Sequence, residues 1–141
     1  MATHSRFFMA LLLVSSAGAA AQDTVVKHVA AKPTSAASGK QMYVNYCAAC
    51  HGSDGKGGGP AAPALKVPPT DLTALSQNNK GKFPVYHVES VIRGESEPPS
   101  HGSQEMPVWG PVFWRMSNGH EEIVQMRIAN LNKYIESLQE K

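Results

Sequence analysis

The sequence predicts an all-α fold of about four or five short helices joined by long loops, with the N- and C-terminal helices crossing. Three observations predict it. Apolar residues recur at helical spacing near both ends, as Gly39, Met42, Tyr43 and Tyr46 and again as Ile128, Leu131, Ile135 and Leu138. Twelve glycines and ten prolines in 141 residues, with only 7% aromatics, suit short helices separated by ordered loops. No alternating apolar–polar run of the kind that makes a half-buried strand precedes Cys47.

Length and charge bound the function. A chain of 141 residues, 42% hydrophobic, suits one domain with a thin core. The formal net charge of +2 comes from scattered lysines, not a basic stripe, so nothing points to nucleic acid.

Met1–Ala21 reads as a secretory signal peptide. A short start with one firm positive charge, Arg6, leads into the apolar run Phe7–Val14 and then small residues ending Ala19-Ala20-Ala21. The run is shorter than the roughly 20 apolar residues a membrane span needs, so cleavage after Ala21 is expected in preference to an uncleaved anchor. No cysteine stands near the cleavage point to carry a lipid, and no later segment is long enough to span a membrane. Residues 22–38 are polar, Ala-rich and aperiodic, and Pro33 and Thr34 argue against a long helix, so they read as a flexible N-terminal arm. The domain proper is then 39–141.

The first helix is expected from about Ser38 to Ala49. Gly39 inside it costs about 1 kcal/mol relative to alanine and calls for a close crossing with a second helix. That second helix is expected from Glu121 to Gln139, capped by Asn118 or Gly119, with Glu121 and Glu122 at the positive end of its dipole. Tyr134 is expected near Gly39 and Tyr43, and Met126 in the core. Between them, Thr70 is expected to cap a short helix from Asp71 to about Asn78, with Leu72 and Leu75 inward, and a further helix runs from Pro84 to Arg93.

The chemistry sits at Cys47-Ala48-Ala49-Cys50-His51. Two cysteines three apart at a helix end can add to the two vinyl groups along one haem edge, and the next residue projects an imidazole at the iron. A structural zinc site would need four ligands, and the chain has two cysteines. A thioredoxin-like pair would need a βαβ context, and a plain disulfide leaves His51 without a reason. The Gly-rich run Gly55–Gly59 lacks the Gly-Lys-Ser/Thr and preceding strand of a phosphate loop and reads as a turn against the haem, with Asp54 as a turn former.

From about Gly39 to Gln139 the chain resembles the class I c-type cytochromes. The matching residues are Gly39 and Tyr43 before the attachment motif, Gly52 to Gly59 after it, Pro63-Ala64-Leu65 and Pro68-Pro69-Thr70-Asp71-Leu72-Thr73. Gly81-Lys82-Phe83-Pro84, Ile92-Arg93-Gly94, His101-Gly102 and Met106-Pro107-Val108-Trp109-Gly110 follow, and Leu131, Tyr134-Ile135 and Ser137-Leu138-Gln139 close the match. The resemblance implies a small cytochrome c-type fold wrapped around one covalent haem c.

It also implies that Met106 is the distal iron ligand, on a loop stiffened by Pro107. Met42 stands on the attachment helix and Met126 in the C-terminal stripe; Met116, His87, His101 and His120 are the remaining rivals. The resemblance places the carbonyl that receives the second ring N–H of His51 on a loop proline, for which Pro63 fits better than Pro60. Leu65 is expected on the haem edge. Trp109 covers the haem, or hydrogen-bonds a propionate through its indole N–H, or is a buried loop anchor, and Arg93 reads as a solvated helix end before a propionate partner.

The expected function is one-electron transfer by a single haem c with His/Met ligation, in an exported or periplasmic monomer meeting redox proteins transiently. It is not expected to be an enzyme. A haem subunit of a larger oxidoreductase complex is the alternative, and a gas or redox sensor would need a signalling domain that the sequence does not carry.

Overall fold

The structure is a computed structural model that describes residues 31–95 and 106–140. The expected signal segment, residues 22–30 of the arm and His101 lie outside the described residues. Among those described there are six α-helices and two short 3-10 turns and no strand. No helix among them is long and apolar enough to cross a membrane.

Helix α1 (Gly39–Tyr46) starts where Ser38 adopts an extended conformation and its hydroxyl accepts from Gln41 N–H at 3.2 Å. Met42, Tyr43 and Tyr46 give it one buried face. Helix α2 (Ala48–His51) follows after a break at Cys47, so the single helix expected to Ala49 is two. At the far end of the chain, α6 (Glu121–Ser137) buries Val124, Ile128, Leu131 and Ile135 on the expected stripe. Its N-cap is His120, one residue past the expected Asn118 or Gly119, because both of those take positive φ and form the turn instead.

Helices α1 and α6 cross where Gly39 meets Asn130. A Cβ on Gly39 would overlap the Asn130 carbonyl oxygen and come within 2.9 Å of Tyr134 Cβ. The rings of Tyr43 and Tyr134 pack 5.2 Å apart beside the crossing, as the sequence leads one to expect.

The intervening segments are hung on this pair. Asp71, not Thr70, is the cap of the turn at Leu72–Ala74: its carboxylate accepts from Thr73 N–H at 2.8 Å and from the Thr73 hydroxyl at 2.6 Å. Those bonds hold its carboxyl below the ordinary carboxylate range. The turn leads into α3 (Leu75–Asn78). Helix α4 (Val85–Arg93) ends on Gly94 in the left-handed region and is tied to α6 by Asn132, whose amide donates to Val85 O at 3.0 Å.

The sequence reading puts Trp109 on a loop, whereas it opens helix α5 (Trp109–Met116). Gly110-Pro111 reads as punctuation, but Pro111 falls in the first turn, where an N–H has no intrahelical partner to lose. Trp109 stacks on Tyr46 at 4.9 Å, and Phe113, one turn on, packs tilted against it at 5.9 Å.

One further expectation fails: Met126 is 43% exposed, because it lies off the buried stripe of α6. At the end of the arm Thr34 is buried, its hydroxyl 2.8 Å from that of Tyr46, and Tyr46 also donates to Lys32 O at 2.6 Å.

Candidate haem-attachment site

Helices α1 and α2 deliver the two cysteines and the histidine to the wall of one large cleft. Tyr46, Cys47, Cys50 and His51 line it from this side. Leu65, Val67, Pro68, Pro69 and Thr70 line it from the loop that follows. Val88, Val91 and Ile92 come from α4, and Leu131 and Ile135 from α6. Met106, Pro107 and Trp109 complete the wall. The atom-free space is about 1090 Å³, part of it open to solvent, and the lining is overwhelmingly apolar.

His51 is buried, and its Nδ1 donates to the Thr70 carbonyl at 3.0 Å. Burial pushes its pKa below the ordinary histidine value, outweighing the Thr70 hydrogen bond. Burial thus favours the neutral ring, and with Nδ1 donating to Thr70 it is Nε2 that would carry the lone pair a metal requires. The acceptor is Thr70, and the expected Pro63 is corrected. Pro63 is exposed on the 3-10 turn Ala62–Ala64 and does not line the cleft, because that turn carries it outward and the chain returns to His51 only at Thr70. The bond uses a backbone oxygen, which any residue type can offer, so no side-chain signal marked it.

Cys47 and Cys50 are not joined in a disulfide. Burial first, then the neighbouring Cys50, pushes the Cys47 thiol up to about 12, so it stays protonated in this environment. Behind α2 the Gly-rich loop does something other than expected. It lies outside the cleft and closes the helix end: Gly57, Gly59 and Ala61 N–H donate to the carbonyls of His51, Cys50 and Ala49 at 2.8, 3.0 and 2.8 Å. A side chain on Gly59 would press into the Ala48 carbonyl oxygen at 2.6 Å, which accounts for the glycine. Asp54 serves as the expected turn former, accepting from Lys56 N–H at 3.1 Å. Tyr43 donates its buried hydroxyl to Gly52 O at 2.8 Å, and burial raises its pKa above the ordinary phenol range.

Of the sulfur rivals, Met106 is half-buried and lines the cleft. Met42 is buried between α1 and α6, and Met116 faces the Tyr46 hydroxyl at 3.4 Å; neither lines the cleft. Among the histidines, His87 stands exposed at the rim, and His120 is exposed beside Glu122. Leu65 and Trp109 line the cleft, Trp109 from the start of helix α5. Arg93 pairs with Glu121 at 3.3 Å and is outside the cleft. Tyr46 is a wall residue the sequence reading left unassigned; its helical phase with Met42 and Tyr43 was the available signal.

Two thiols, a neutral imidazole and a thioether share one apolar cleft, a donor set that fits a haem held by two thioether bonds and two axial ligands. The family model described as Cytochrome c matches residues 36–139. No curated protein and no solved structure matches the chain.

Proposed function

The chain belongs to the cytochrome c family, and from that premise we propose that it is a one-electron carrier whose haem c is held by Cys47 and Cys50 and ligated by His51 and Met106. Covalently attached haem c is the cofactor of this family, and haem-based electron transfer is what such a domain supports. Bound here, the haem supplies a metal that gains and loses one electron with little rearrangement.

The protein's own groups do the rest. Thr70 fixes the His51 ring and leaves Nε2 for the iron. Val88, Ile92, Leu131 and Ile135 exclude water from the cleft. His51 and Met106 would together hold the iron of a bound haem and leave no place on it for a substrate, which favours a carrier over an enzyme. Contacts with redox partners are expected to be small and transient, by a monomer exported under the direction of its first 21 residues.

The observation that carries the ligand assignment is that Met106 shares the cleft with a His51 whose Nδ1 is already committed. The oxidised protein should show the weak red absorption band of sulfur–iron charge transfer, and Met106→Ala should abolish it and lower the reduction potential. A band that persists in Met106→Ala would assign the ligand to another sulfur.

A further inference from the structure

Arg127 is an unusual side chain to find on the inner face of α6. It is only 6% exposed, and an arginine stays charged in a protein. No carboxylate among the described residues pairs with it. Its Nη1 donates to the Thr34 carbonyl at 3.0 Å and to the Thr34 hydroxyl at 3.3 Å, and lies 4.0 Å from Met42 Sδ. Its Nε donates to the Ser117 hydroxyl at 3.3 Å. The partners of Nε and Nη1 are all neutral, so no negative charge among the described residues offsets the guanidinium. Buried charges are ordinarily paired.

The position of this charge matters. The Thr34 hydroxyl that takes Arg127 lies 2.8 Å from the Tyr46 hydroxyl, and the Tyr46 side chain is part of the cleft wall. Leu131, one helical turn beyond Arg127, is also in that wall. The guanidinium is thus two hydrogen bonds from a wall residue of the cleft, by way of the Thr34 and Tyr46 hydroxyls.

We propose that Arg127 is a potential-setting residue that holds the reduction potential of the haem up by opposing the more positive, oxidised state. Reduction adds one electron, supplied by partner or chemical titrant, and makes or breaks no bond, so the positive charge in the cleft falls by one. A fixed cation nearby favours that change, and because it is buried, salt screens it weakly. The proposal rests on the haem occupying the cleft in the manner set out above.

The test is a mediated redox titration of the haem-loaded protein at low and high salt. Arg127→Gln should lower the midpoint potential at both salt concentrations while the sulfur–iron band remains, so that loss of the band would instead indict the ligand assignment. An unchanged potential with lowered thermal stability would overturn the proposal and leave Arg127 as a clamp on the arm. Ser117→Asp keeps the guanidinium and sets a carboxylate beside Nε. It too should lower the potential, and it decides the matter if Arg127→Gln yields no folded protein. A Ser117→Asp protein with the wild-type potential would then overturn the proposal.

Discussion

Replacing Gly39 by valine should cost more than about 3 kcal/mol of stability, seen as a large drop in the thermal unfolding midpoint of the haem-loaded protein or as failure to accumulate it. The reason is geometric. The Cβ alone would overlap the Asn130 carbonyl oxygen and stand 2.9 Å from Tyr134 Cβ, and valine adds two methyl groups to the same gap. Neither neighbour can yield cheaply, because one is helix backbone and the other is the root of a side chain packed on Tyr43. Separating α1 from α6 would open the contact between Met42, Tyr43 and the stripe Val124, Ile128 and Leu131, where the most deeply buried side chains lie. Gly58→Ala is the matched control: no atom lies within 4 Å of a Cβ there and its φ is not positive, so it should be neutral or slightly stabilising, by up to about 1 kcal/mol. Equal effects at the two glycines would mean that the crossing is looser than the structure has it.

The second large effect is expected from Cys47→Ser combined with Cys50→Ser. Pigment should no longer stay with the polypeptide on a denaturing gel, and the chain should lose its cooperative thermal transition and much of its helical signal. Packing explains why the two losses go together. Val88, Ile92, Leu131, Ile135 and Trp109 are all buried core residues, and all of them also line the cleft. They therefore belong to a core that is finished only when the cleft is filled, and a void of this size would forfeit their contacts on one side. A double variant that melts sharply at the wild-type temperature would show that the helices hold without the cofactor.

The sequence revealed most where one rigid pattern repeats. The 3-4 spacing in α1 and α6, with a glycine where an apolar residue would be usual, led to the crossing. The five-residue motif led to the attachment point. It revealed least where a backbone group or a local turn decides. Thr70 rather than Pro63 receives His51 because a carbonyl carries no side-chain signature. Helix α5 was hidden by Gly110-Pro111, which break a helix in its middle but are tolerated in its first turn. Arg127 defied the ordinary rule that charge faces water, so its bonds to Thr34, and those of Thr34 to Tyr46, had no signal in the sequence. Met126 was counted into the apolar stripe of the C-terminal helix, although its angular position on α6 turns it outward.

The loop behind the cysteines has one more consequence. A stretch with four glycines in five residues is ordinarily the first place where solvent deuterium replaces amide protons. Here the amides of Gly57 and Gly59, and of Ala61 just beyond, are locked onto the last carbonyls of the attachment helix, so their exchange should be as slow as that of a helix interior. The part of the chain that looks most pliant would then be the brace that keeps a one-turn helix from unwinding.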